Sequence, residues 1–111
     1  MIIVAIDEKN FTRASEVIRS LDPNKCMIKI GSVAFNSIGN DIIKYTNELG
    51  FDIFLDLKLH DIPNTVKKSI EGLSSLPISM LTVHTSGGTD MMSAAMEAAR
   101  GTNIKIFGVT A

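Results

Sequence analysis

The sequence predicts an α/β fold with a parallel sheet, closed as a (β/α)8 TIM barrel of which this chain supplies about five strands and four helices. Three observations carry that prediction. Strand-like and helix-like stretches alternate four times at intervals of roughly 25 residues, the pattern of βαβ units with right-handed crossovers. Asp7, Lys29, Asp56 with Lys58, His84 and Thr110 fall at the carboxyl ends of successive strands. They converge only if those ends ring one mouth, because an open doubly wound sheet would scatter them. The turn after the first strand reads Asp7-Glu8-Lys9, without the glycine-rich fingerprint of a dinucleotide-binding sheet. A complete barrel needs eight strands and typically about 250 residues. Residues 1–111 are therefore expected to form the amino-terminal part of a single barrel domain.

Met1 to Ile6 reads as a buried strand ending in Asp7, with Ile3 and Ala5 on the face of Asp7 and Ile2, Val4 and Ile6 on the other. Asn10 caps a helix through about Leu21, whose apolar stripe is Phe11, Ala14, Val17, Ile18 and Leu21. Asp22-Pro23-Asn24 ends it. Cys26 to Ile30 is the second strand, placing Met27, Lys29 and Gly31 on one face. Ser32 to Ser37 allows one helical turn before a helix carrying Ile42, Ile43, Thr46 and Leu49, stopped by Gly50 as a glycine just past a helix end. The central strand follows, then a helix from Pro63 with Val66, Ile70 and Leu73 inward. Ile78 to His84 is the fourth strand, on which Met80, Thr82 and His84 share a face. Ser86-Gly87-Gly88-Thr89-Asp90 turns into a helix to Arg100, closed by Gly101, and Ile104 to Val109 is the fifth strand. Met91, Met92, Ala95, Met96 and Ala99 fall at helical spacing and are expected to fill the core.

With 45% apolar and 21% charged residues the composition is that of an ordinary globular domain. A net charge of −1 leaves no basic field for nucleic acid or an acidic membrane surface. The apolar start, Met1 to Ile6, meets Asp7-Glu8-Lys9 at once and is too short for a signal or a membrane span. The lone Cys26 has no intrachain partner and sits in an apolar run, which suits buried use in a reducing cytoplasm.

The chemistry concentrates in Gly50 to Thr65. Phe51, Ile53, Leu55, Leu57 and Leu59 alternate with Asp52, Phe54, Asp56, Lys58 and His60, so one face is apolar and the other polar. A half-exposed antiparallel sheet would show the same alternation, with Asp56 and Lys58 as a solvated ion pair. The charges, however, gather at the strand's carboxyl end and run into Asp61 before Pro63, where ligands sit in parallel α/β folds. Asp56 and Lys58 project side by side, with Lys29 on the neighbouring strand and Asp61 in the turn beyond. Two cations and two carboxylates can alternate there, each fixed by opposite charge. A lysine so held can deliver a proton to a carbanion, and a carboxylate beside it presses on any negative charge a substrate brings.

Asp56-Leu57-Lys58-Leu59-His60-Asp61-Ile62-Pro63-Asn64-Thr65 resembles the signature of the orotidine 5′-monophosphate decarboxylase family, most closely its bacterial form. Val4-Ala5-Ile6-Asp7, Lys29-Ile30-Gly31, Gly50 to Leu55 and Val83-His84-Thr85-Ser86-Gly87-Gly88 agree with it. Related barrels such as hexulose-phosphate synthase share the Asp-x-Lys-x-x-Asp spacing but continue Ala-Gly, so Ile62-Pro63-Asn64-Thr65 selects the decarboxylase. The resemblance implies cofactor-free and metal-free conversion of orotidine 5′-monophosphate to UMP, with catalytic Lys58, Asp56, Asp61 and Lys29. Lys58 would protonate C6 and Asp56 would adjoin the scissile carboxylate. Asp7 and Lys29 would hold ribose hydroxyls, Lys29 also orienting Asp56. Asp61, Ile62 and Thr65 complete the substrate-binding set, and Asp61 and Thr65 reach the partner site of a homodimer. His84 is expected to pack or hydrogen-bond, and Ser86-Gly87-Gly88 to be a plain turn. The family's phosphate grip comes from later strands, which lie beyond these residues. The alternative is that the chain is an inactive half-barrel, a structural or association module with open sheet edges.

Overall fold

A computed structural model describes residues 2–110. Met1, the first residue of the predicted opening strand, lies outside them. Strands β1 (Ile2–Ile6), β2 (Cys26–Gly31), β3 (Ile53–Leu59), β4 (Met80–His84) and β5 (Lys105–Val109) alternate with helices. These are α1 (Phe11–Arg19), α2 (Ser32–Ile38), α3 (Asn40–Glu48), α4 (Pro63–Leu73) and α5 (Thr89–Ala99), with a 3-10 turn at Thr85–Gly87. Every strand pair is parallel and the order is β1-β2-β3-β4-β5. Sequential order decides the architecture. Right-handed crossovers that always step in one direction put every helix on the same face, whereas a doubly wound sheet reverses direction and covers both. These residues thus form an arc of barrel wall, helices outside, with the carboxyl ends of all five strands along one rim.

The helix-covered face holds the core. Ile28, Ile30, Ile53, Leu55, Leu81 and Val83 pack with Ala14 and Ile18 of α1, Ile42 and Ile43 of α3, Val66 and Ile70 of α4, and Met91 and Ala95 of α5. Cys26 joins them as a buried free thiol. On the concave face the register sets Ala5 beside Lys29, Lys29 beside Phe54, Gly31 beside Asp56, and Thr82 beside Phe107. That face is open, and Ile3 and Phe107 are exposed on it.

Several boundaries differ from the sequence reading for local reasons. Ser32 to Ser37 is not one turn but the start of α2, whose Ala34 is fully buried, so the β2-to-β3 connection holds two helices and the described residues hold five rather than four. Helix α1 ends at Arg19, before Leu21, while Asn10 caps it as expected by accepting the Arg13 N–H at 2.9 Å. Leu49 is the last cap of α3 rather than part of its inward stripe and is exposed, and Gly50 follows at φ +90°. The buried line of α5 is Met91, Ala95 and Ala99. Met96, expected in the core, falls off that line and is 56% exposed. Strands β3, β4 and β5 begin after Phe51, Ile78 and Ile104, which are buried without being part of the ladder.

Candidate active site

Alternation along β3 carries Phe54, Asp56 and Lys58 to the concave face, and Asp56 and Lys58 stand at its carboxyl end. Lys58 Nζ donates to Asp56 Oδ2 at 2.8 Å. Lys29 Nζ, from β2, lies 3.6 Å from the same oxygen. The Asp56 side chain is only 10% exposed between its two cations. Its other oxygen, Oδ1, accepts the Thr82 hydroxyl of β4 at 2.7 Å. Burial pushes the Asp56 carboxyl up. The hydrogen bonds from Lys58 and Thr82, with the charges of Lys58 and Lys29, more than offset it and hold its pKa below the ordinary carboxylate value.

Asp7 follows β1 onto the same rim. A Cβ built on Gly31 would meet Asp7 Oδ1 at 3.8 Å, and Gly31 is also the registered neighbour of Asp56. Asp61 stands apart from the ion pairs: its Oδ1 accepts the Ile62 N–H at 2.7 Å, within its own turn. The charged cluster among the described residues is therefore Lys29, Asp56 and Lys58, one member short of the expected alternating four. Ile62 and Thr65 are exposed where α4 begins, with Pro63 in its first turn. His84 Nδ1 accepts the Ser86 N–H at 3.2 Å and meets Ser86 Oγ at 2.6 Å, capping the 3-10 turn. Its ring stacks on His60 at 5.4 Å. Packing and hydrogen bonding thus occupy His84, and Ser86 and Gly87 belong to that turn.

Two features escaped the sequence reading. Lys58 has φ +50°, the one positive-φ residue other than glycine among those described. Such a backbone is uncommon and concentrates at functional sites. Thr82, placed on the correct face but given no role, holds both Asp56 and the Lys58 N–H. The sequence shows only a hydroxyl between the apolar Leu81 and Val83, which marks the residue without revealing its partners. An apolar groove of about 480 Å³ lined by Met96, Ile104, Ile106 and Phe107 runs along the β5 edge and includes none of the charged cluster.

A carboxylate gripped between two lysines, at the carboxyl rim of a singly wound parallel wall, defines the class: part of a (β/α)8 barrel with a charged cluster at its mouth. Residues 1–111 match the Orotidine 5'-phosphate decarboxylase / HUMPS family, and the chain belongs to it. It is 43% identical over 104 residues to the orotidine 5'-phosphate decarboxylase of Saccharophagus degradans, covering 94% of this chain and 44% of that protein. The solved orotidine 5'-phosphate decarboxylase of Lactobacillus acidophilus superposes with a TM-score of 0.88 at 37% identity, over 99% of this chain and 52% of the other. The Methanocaldococcus jannaschii orotidine 5'-monophosphate decarboxylase, solved with the inhibitor BMP, superposes at 0.89 and 26% identity over 98% of this chain and 51% of the other. The chain spans about half the length of the relatives it matches.

Proposed function

We propose that this chain carries the reacting groups of an orotidine 5′-monophosphate decarboxylase, a carboxy-lyase that works without cofactor or metal and makes UMP. The observation that carries this reading is the Asp56 carboxylate held between Lys29 and Lys58 at the barrel rim. Family membership supports it, as does the archaeal relative's complex with BMP, which points to a small-molecule ligand. In the reaction the C6–carboxylate bond breaks, CO₂ leaves, and the electron pair stays on C6. The Lys58 ammonium gives C6 its proton and is reprotonated from water. Asp56 stands beside the substrate carboxylate. Two like charges about 4 Å apart repel by roughly 4 kcal/mol at an effective dielectric near 20, a useful share of the barrier but far from all of it. Lys29 fixes Asp56 and, with Asp7, holds the ribose hydroxyls. Asp61 and Thr65 are exposed, as residues that reach the other site of a homodimer must be, and Ile62, exposed beside them, belongs to the substrate-binding set. No described helix is long and apolar enough to cross a membrane. We place the enzyme in the cytoplasm, with neither membrane nor nucleic acid among its partners.

The test is a completed barrel, made by joining the chain to the carboxy-terminal portion of the Saccharophagus degradans relative. Loss of orotidine 5′-monophosphate, followed by absorbance, is the expected result; a folded barrel without turnover refutes the assignment. A second reading, a half-barrel that serves only to associate, is favoured by the exposed Ile2, Ile3 and Phe107 on the outer strands. That same inert barrel is the outcome it requires.

A further inference from the structure

The irregularity in β3 is held from β4 by Thr82. Leu55 pairs with Leu81 and Leu59 with Val83, so β3 takes four steps where β4 takes two. The three residues 56 to 58, which face the single residue 82, include both reacting groups, of which Lys58 is left-handed. Thr82 stands opposite them with 1% of its surface exposed. Its Oγ1 accepts the Lys58 backbone N–H at 3.0 Å and donates to Asp56 Oδ1 at 2.7 Å. A hydroxyl is suited to this because it is donor and acceptor at once. Asp56 Oδ2 is taken by the lysines, so Thr82 fixes the remaining freedom of the carboxylate. It also satisfies a backbone donor that the bulge removes from the ladder.

We propose that Thr82 is a positioning residue: its hydroxyl sets the direction of the Asp56 carboxylate and the left-handed turn that aims Lys58. The reaction it serves rests on the decarboxylase reading; the clamp itself is measurable without turnover. Thr82→Val keeps the shape and removes the hydroxyl, whereas Thr82→Ser keeps the hydroxyl. In the completed barrel, Thr82→Val should lower kcat by about 10- to 100-fold with KM little changed, and Thr82→Ser should recover most of that. The acid limb of the kcat profile should also move to higher pH in the valine variant, because Asp56 loses a hydrogen bond to its charged form. A residue that merely filled space would tolerate valine better than serine. The second measurement is an NMR titration of the Asp56 carboxyl carbon in the 111-residue chain. Its midpoint should rise in Thr82→Val and stay near the parent value in Thr82→Ser. An unchanged midpoint, or an unchanged kcat, in Thr82→Val overturns the proposal. A shifted midpoint in a chain whose completed barrel turns nothing over upholds the clamp and refutes the decarboxylase reading instead.

Discussion

The surroundings of Asp56 act on its charge in opposing directions. Burial works against the carboxylate, while Lys58, Thr82 and Lys29 favour it, and the net effect lowers its pKa. The sign of the consequence follows by linkage. Above the ordinary aspartate value of about 3.9 the group is ionised in both folded and unfolded chains, and its stabilising contribution is complete. As pH falls below that, the unfolded chain takes up the proton first, and the contribution is gone once pH has passed through the lower folded value. Urea midpoints measured from about pH 6 down to about pH 3 should therefore fall less steeply with acid in Asp56→Asn than in the parent. Equal slopes would mean that Asp56 is not held as its contacts indicate. Much of this site was legible from residue type and parity alone. Asp56 and Lys58 share a face because they are two apart on a strand, and Lys29 ends the strand next door. Thr82 and the left-handed Lys58 were not legible, because a bulge is a property of how two strands pair, and one strand's alternation does not reveal its partner's register.

Elements were readable where one local device fixes them. Asn10 caps α1 with its own side chain, Pro63 falls in the first turn of α4, and Gly50 at φ +90° ends the α3 unit. Helix α2 was under-read because seven residues give too short a period to separate a helix from a turn; the burial of Ala34 under tertiary packing settles it. Leu49 and Met96 were misplaced for a different reason: helical spacing names a stripe but not its width. The glycine device is open to measurement. Gly50→Ala forces a left-handed backbone on an L-residue, with only Pro23 near the new methyl at 3.9 Å, so strain rather than a clash is the expected cause. Denaturant unfolding should show a loss of about 1 to 2 kcal/mol. A loss below about 0.3 kcal/mol would show that the turn relaxes to another conformation.

At the scale of the whole molecule, the regular strand–helix alternation implied parallel βαβ units, and the polar residues at the carboxyl ends of successive strands implied the one-sided barrel wall that the sequential strand order forms. What alternation could not give is the state of the concave face, which depends on the strands that face it. In this chain that face is open, with Phe107 at 45% and Ile3 at 48% exposure, and β1 and β5 each have an unpaired edge. The isolated chain is therefore expected to associate in light scattering and to show no measurable decarboxylation. Mixing it with a separately made carboxy-terminal half should restore some activity. A monodisperse monomer that turned over substrate would contradict this. The central claim, that Lys58 supplies the proton at the reacting carbon, is tested most directly by Lys58→Ala in the completed barrel. UMP formation, measured beside the circular dichroism spectrum of the same sample, should vanish while the fold persists; a folded Lys58→Ala barrel working at close to the parent rate would contradict the account.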